Sequence, residues 1–387
     1  MFTLKKFKTI YKKMKLKTLS MSLLCVVGVV LTMRILQLKV IPVTSETIAE
    51  PKIFPSIEFP FMEPEVSEDL PTDVQKAPKI PHIIHQTYKD MFIPGEFEGY
   101  VLSFVNMNPK WTYYFWTDAS ARKFIEDKYP DFLPVWDGYR VNINRADALR
   151  YFVLYEYGGV YADLDYECLR PLDRVTKLYS AIFPPEPFEH SVFRLHLPFL
   201  INNAIMMSRA KHPFLKLMID NLASFQAMFE QLDVAGPCFV TTNYMIYNNF
   251  SNGDAYKLER RPDGNSSPYF FQGPLDPMHE DAVYIPNTHY FMNTLSTSGV
   301  NAEKMREICV KADDESYVLV KRGCNELAKR DKRDGEKEIT RTSPKFTYTE
   351  HHWAETYSAK EESKSYIHIK NIKSKYKIYP DAISIEE

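Results

Sequence analysis

The sequence predicts an α/β fold, a mostly parallel sheet with helices on its faces, preceded by one N-terminal transmembrane helix. Three observations carry that prediction. Strand-like and helix-like segments alternate between residues 80 and 165, as in a sheet covered by helices. Gly158-Gly159 ends a helical segment and opens the apolar run Val160-Tyr161-Ala162. A basic, acid-free stretch precedes an uncharged run at the N-terminus. The composition is ordinary for a globular chain of 387 residues, with 45% hydrophobic and 25% charged residues. It excludes a disordered, collagenous or disulfide-framework protein.

Charge is distributed unevenly. Residues 1–34 hold seven Lys (Lys5, Lys6, Lys8, Lys12, Lys13, Lys15, Lys17), Arg34 and no acid, which leaves 40 basic against 50 acidic residues, or −10, on the rest. An acidic body excludes a nucleic-acid partner. The uncharged run from Thr18 to Met33 spans about 24 Å as a helix, enough for a thin membrane of the secretory pathway. All the lysines precede it, so residues 1–17 read as a cytosolic tail, 18–37 as a signal-anchor, and the body as lumenal. A cleaved signal peptide is the alternative, and it also leaves the body in the lumen. Seven prolines among acids mark residues 38–78 as an extended stem. The sequons at Asn249 and Asn265 fit a lumenal chain, and Cys309 and Cys324 are expected to pair by proximity.

The body, residues 79–357, opens with a strand at Ile80–Gln86. A second runs over Trp111–Trp116, rich in aromatic and β-branched residues. Asp118 or Ser120 caps the helix that follows through Tyr129. Asn144–Tyr157 recurs as a helix, and Val160–Asp165 reads as a third strand. A strand over Asn203–Met207 and a helix over Pro213–Phe229 follow. The charge-dense segment 302–340 reads as helical with a loop, lying on the solvated surface. Residues 358–387 form a polar tail with aromatic interruptions, expected to pack on the domain edge.

The unit Val160-Tyr161-Ala162-Asp163-Leu164-Asp165 carries the chemistry. Alternation along a strand puts Asp163 and Asp165 on one face, about 6.5–7 Å apart. Two carboxylates so placed repel unless a hard divalent cation, Mn²⁺ or Mg²⁺, sits beside them and shares oxygen ligands with a diphosphate. Asp147 and Arg150 lie three apart on one face of the preceding helix. His82 and His85, three apart, point to opposite faces and read as packing residues. No zinc spacing, nucleophile elbow or phosphate loop is present.

These pieces recur in a set. Pro78–Tyr88, Asn108–Asp118, Arg145–Tyr151, Tyr157–Asp165 and Leu169–Asp173 resemble glycosyltransferase family 32, whose members share a DXD sugar-binding region. Asn202-Asn203-Ala204, Lys211–Phe214, Gly236-Pro237 and His351-His352-Trp353 continue the match in order. Initiating mannosyltransferases and mannosyl-inositol-phosphorylceramide synthases are among its members. The resemblance implies a GT-A fold and a type II Golgi membrane enzyme that transfers a hexose, with retention, from GDP-mannose or a UDP-sugar to a glycan or glycosphingolipid. It implies Asp163, Asp165 and Arg150 as catalytic residues, and Asp163, Asp165 and His351 around the metal, His352 being the other candidate. Gln86, Thr87, Tyr88, Asp147, Arg150, Asp163, Asn203 and Trp353 would hold the donor. Tyr88 stands where the family more often has Trp, and would stack on the base. A homo- or hetero-oligomer is left open. The rival reading is a non-catalytic lumenal sugar- or cargo-binding protein that kept the fold; it predicts decay of the acidic pair, which is intact.

Overall fold

The computed structural model describes residues 77–249, 269–271, 279–296, 300–313, 316–338, 347–354 and 365–372. The predicted tail, anchor and stem up to residue 76, and the sequon at Asn265, lie outside them. Among the described residues no helix is long and apolar enough to cross a membrane.

Strand β1 (Ile83–Thr87) is followed by β2 (Phe92–Pro94), helix α1 (Glu98–Met107) and β3 (Thr112–Trp116). Helix α2 (Asp118–Lys128) comes next. Its cap is Thr117 rather than either predicted residue: the Thr117 side chain accepts from the Ser120 amide while Ser120 answers the Thr117 amide, a reciprocal pair that satisfies two otherwise orphaned donors. Helix α3 (Asn142–Tyr157) leads to β4 (Gly159–Ala162), β5 (Tyr166–Cys168) and β6 (Ala181–Ile182). Helix α4 (Phe188–Leu195), strand β7 (Ile205–Ser208) and helices α5 (Pro213–Phe225) and α6 (Pro237–Tyr247) complete this part. The helix predicted over 213–229 thus stops at Phe225.

The main sheet has the order β3-β1-β4-β7-β6. Strands β3, β1 and β4 are parallel, β7 runs against β4, and β6 runs against β7. Four of five strands therefore share one direction, the mostly parallel α/β sheet the sequence predicts. Strand side chains alternate between two cores: Tyr161 and Met206 face one, while Val160, Ala162, Ile205 and Met207 face the other. Helix α3 is buried almost all round from Asn144 to Leu154. Each fully buried large apolar side chain on it stabilises the fold by about 1.5–3 kcal/mol.

Gly158 and Gly159 both hold positive φ, 66° and 106°. A Cβ on Gly159 would sit 2.5 Å from the Ile83 carbonyl oxygen, so only glycine lets β4 close against β1. His85 sits under this junction. The Trp116 indole N–H donates to its Nδ1 at 3.2 Å, which puts the ring proton on Nε2, 2.9 Å from the Gly158 carbonyl. Burial pushes its pKa down to about 4 against the help of that carbonyl bond, and a second proton would break the Trp116 bond. His82 stacks on Trp111 at 4.4 Å. Both are packing residues, as expected.

The later segments add β8 (Tyr269–Phe271) paired with β9 (Ile285–Pro286), helices α7 (Ala302–Lys311) and α8 (Val318–Glu338), and strands β10 (Thr349–His351) and β11 (Tyr366–His368). Strand β10 pairs with β5 and β11 with β2, so part of the predicted tail joins the body. Cys309 and Cys324 are bonded across α7 and α8. The reading of 302–340 as solvated surface needs correction. Met305, Cys309, Leu319, Cys324 and Leu327 are buried, and Arg330 is buried against Glu189 at 2.7 Å. The charge density hid an amphipathic pair of helices.

Candidate functional site

Strand order reverses around β1: the chain passes from β1 out to β3, then back across to β4. Ligands of open α/β sheets bind outside the carboxyl ends of strands at such a reversal. Tyr88 lies just past β1 and Asp163–Asp165 just past β4. Because β7 is antiparallel, its entry residues Asn202 and Asn203 lie at the same edge, as does Glu186, shortly beyond the end of β6. A cavity of about 570 Å³ opens there. Thr87, Tyr88, Asp147, Arg150, Asp163, Asp165, Asn203, His351 and Trp353 all line it. Of the donor-binding residues read from the sequence, Gln86 is not in its wall. It is fully buried, receiving a hydrogen bond from Tyr113 and donating to the Asp163 carbonyl at 3.3 Å.

The acidic pair is not on one strand. Strand β4 ends at Ala162, and Asp163–Asp165 form a tight turn into β5, closed by the Tyr166 amide on the Asp163 carbonyl. The two carboxylates take different partners. Asp163 receives Arg150 Nη2 at 3.2 Å and the Tyr161 hydroxyl at 2.7 Å. The same Arg150 nitrogen lies 3.1 Å from Asp147, and Nη1 donates to the Asn203 carbonyl at 2.7 Å. The guanidinium lies over the Tyr161 ring. A buried cation in three contacts is fixed in position. Burial pushes Asp147 up to about 6 against the pull of Arg150.

Asp165 receives the Ala354 amide at 2.9 Å, and His351 Nε2 lies 3.2 Å from the same carboxylate oxygen. Burial would raise the Asp165 pKa, but His351 holds it below the usual range. The His351 ring is stacked on Tyr166 at 4.5 Å. Trp353 takes a left-handed φ of 53°, uncommon for a bulky residue, and its indole N–H is anchored on Thr294. His352 faces away, bonded to Glu167 and stacked on Tyr100. Cys168 is a buried thiol pushed up to about 12 by burial, hence inert.

Among the described residues no three acidic, His or Cys side chains are gathered as a ready-made metal cluster. The donor set nonetheless fits a divalent cation. Two carboxylates (Asp147 and Asp163) share one guanidinium and a third, Asp165, lies against His351, so carboxylates outnumber arginines three to one. His351 Nδ1 is buried without a partner, so one ring nitrogen is unclaimed. A hard cation keeps ligands from substrate phosphates and water, so Asp165 and His351, with Asp163 beside them, suffice on the protein side.

The sequence reading missed Glu186, Asn202, Arg194 and Tyr366, which also line the cavity. Glu186 follows a two-residue strand, too short to read. Asn202 had a signal: in extended chain it faces opposite to Asn203. The two asparagines serve different carboxylates. Asn203 donates to Asp147 at 3.0 Å and Asn202 to Glu186 at 3.1 Å.

Residues 94–181 match the model of the glycosyltransferase sugar-binding region containing a DXD motif. Inositol phosphoceramide mannosyltransferase 2 of Schizosaccharomyces pombe is 40% identical over 166 residues, covering 41% of this chain and 45% of that protein. The mannosyl phosphorylinositol ceramide synthase SUR1 of Saccharomyces cerevisiae is 34% identical over 191 residues, 48% of this chain and 47% of that one. An initiation-specific alpha-1,6-mannosyltransferase of Candida albicans is 31% identical over 116 residues, 28% of this chain and 30% of that one. The matched segment thus spans about half the length of the ceramide-directed relatives, and less of the initiating one.

Proposed function

We propose that this chain, whose residues 94–181 match the glycosyltransferase sugar-binding region containing a DXD motif, transfers mannose from GDP-mannose to a glycolipid of the inositol phosphoceramide type. The proposed enzyme has a GT-A fold, depends on a divalent metal (Mn²⁺ or Mg²⁺), retains the anomeric configuration, and is anchored as a type II protein in the Golgi membrane with its catalytic body in the lumen. One observation carries the reading: Asp147, Arg150, Asp163, Asp165, Asn203, His351 and Trp353, drawn from distant parts of the sequence, line one cavity at the carboxyl edge of the sheet. Two relatives whose names specify phosphoinositol ceramide match longer segments than the initiating mannosyltransferase, which favours the lipid over a glycan acceptor.

In this reading Asp163, Asp165 and His351 hold the metal, which supplies positive charge against the diphosphate as it departs. Arg150, locked between two carboxylates, presents a preorganised cation to the same developing charge. Asp147 and Asn203 orient the sugar hydroxyls, and Tyr88 stacks on the base. Trp353 and His351 cover the diphosphate and exclude water. No side chain is assigned as a nucleophile; the leaving phosphate takes the acceptor proton on the same face as the departing bond.

The test is a donor and acceptor matrix with the full-length chain in detergent. Mannosyl transfer from GDP-mannose to inositol phosphoceramide, abolished by EDTA and restored by Mn²⁺, is expected. Transfer from a UDP-sugar, or equal use of a mannan acceptor, would overturn the donor or acceptor assignment respectively.

A further inference from the structure

Glu186 is an acidic side chain in the cavity wall that none of the donor roles uses. It is buried, and neutral donors hold both its oxygens. Asn202 Nδ2 donates to Oε1 at 3.1 Å. His190 Nδ1 lies 3.1 Å from Oε2, and the Ser296 amide donates to His190 Nε2 at 3.0 Å. Since Nε2 accepts, the ring proton is on Nδ1 and points at Glu186. The imidazole is held edge-on to Trp353 at 4.7 Å. Burial alone would raise the Glu186 pKa, but the bond from His190 keeps it below the usual carboxylate range. An ionised carboxylate has about four acceptor sites, and these two bonds occupy one on each oxygen. The remaining ones suit the hydroxyls of a polyol.

Arg194 lines the same end of the cavity. It stands four residues after His190 on α4, hence on the same helix face. Arg150 is held by Asp147, Asp163 and the Asn203 carbonyl, whereas Arg194 makes no close ion pair among the described residues and acts on Glu186 through its charge alone. A half-buried guanidinium of this kind matches the geometry of a phosphate.

Position along the sheet separates this end from the donor residues. In the order β3-β1-β4-β7-β6, Tyr88 leaves β1, the aspartate turn leaves β4, and Glu186 follows β6. Neighbouring strands are about 4.8 Å apart, so β6, which leads to Glu186, lies roughly 10 Å along the row from β4, which leads to the metal-binding turn. That spacing leaves room for one hexose ring between them.

We propose that the Glu186–Arg194 end of the cavity is the acceptor subsite and recognises an anionic polyol, Glu186 accepting from ring hydroxyls and Arg194 pairing with a phosphodiester. The proposal rests on the glycosyltransferase reading and deepens it, naming the part of the acceptor that is read.

The test measures binding by the full-length chain in detergent, with GDP and Mn²⁺ present, using glycerophosphoinositol and free inositol as probes. Wild type is expected to bind glycerophosphoinositol at least tenfold tighter than inositol. Arg194→Ala, at a half-buried position that leaves the core intact, should abolish that preference and leave inositol binding within twofold. Glu186→Gln should weaken both probes about tenfold, with thermal melting checking its fold. In transfer assays the same variant should raise the KM for the lipid acceptor about tenfold and that for GDP-mannose less than twofold. Wild-type affinity for both probes in both variants, or no probe binding by wild type, overturns the subsite. Probe binding that follows the predicted pattern in a chain that binds no nucleoside diphosphate would instead overturn the glycosyltransferase reading and leave the subsite standing.

Discussion

Two buried carboxylates, one on each side of the Asn202-Asn203 pair, show how the same residue type is set to different tasks. Asp147 receives Asn203 and lies 3.1 Å from Arg150, inside a cluster that also holds Asp163. Glu186 receives Asn202 and a neutral imidazole. Burial acts on both, yet Asp147 rises to about 6 while Glu186 falls below its ordinary range. The difference lies in neighbours: a second carboxylate opposes the ionisation of Asp147, whereas donors converge on Glu186. One end of the cavity is thus a crowded charge cluster in which a cation is wanted, and the other a solvated-like cradle for hydroxyls. Substitutions at the two ends should accordingly fail in different ways.

The largest effect is expected at the crowded end. Asp165→Asn removes the charge that faces His351 and the metal, and should lower mannosyl transfer by about a thousandfold with the acceptor KM little changed. Arg150→Lys comes next. A lysine keeps the charge but cannot span Asp147, Asp163 and the Asn203 carbonyl together, so transfer should fall about a hundredfold. Stability should drop by about 3 kcal/mol, read by denaturant unfolding, because the carboxylates lose their shared partner.

The remaining predictions concern the frame around both ends. Replacing Cys309 and Cys324 together by Ser should cost about 3 kcal/mol of stability, since the bond closes a sequence separation of 15 residues. The donor KM should move less than twofold, because α7 and α8 support α4 through the Arg330–Glu189 pair rather than the aspartate turn. The last effect is that of pH, spread over more than two pH units. His85 is neutral in the fold with its pKa lowered to about 4, against 6.5 unfolded. Its contribution is fully present above pH 6.5 and is lost as pH falls toward 4, a change of about 3 kcal/mol for this residue. Melting midpoints should be flat from pH 8 to 7 and decline below 6.5. His85→Gln should flatten part of that decline.

What the sequence made legible follows from the physics of each segment. Strands β1 and β3, helix α3 and the Gly158-Gly159 junction carry strong local signals, so most residues that line the aspartate end of the cavity could be named from the sequence. Even there, alternation misled: Asp163 and Asp165 sit in a turn, closed where the Tyr166 amide bonds back to the Asp163 carbonyl. Gln86 sits at a strand end yet points into the core, where Tyr113 holds it. The polyol end was not legible. Glu186 lies in the proline-rich Pro184–Pro187 stretch between a two-residue strand and a short helix; its partner His190 is only four residues on, but Asn202 and the Ser296 amide that fixes His190 are brought in by the tertiary fold. The buried face of α8 was masked by its lysines and arginines, of which Arg330 finds its partner, Glu189, far away in the sequence.

The central claim is that the aspartate turn and His351 bind a nucleoside diphosphate through a divalent ion. Calorimetric titration of GDP into the full-length chain, with Mn²⁺ or with EDTA, tests it most directly when repeated on Asp165→Asn. The account predicts binding by wild type that requires Mn²⁺ and is at least a hundredfold weaker in the variant. Binding that is unchanged by EDTA, or equal in the two proteins, would contradict it.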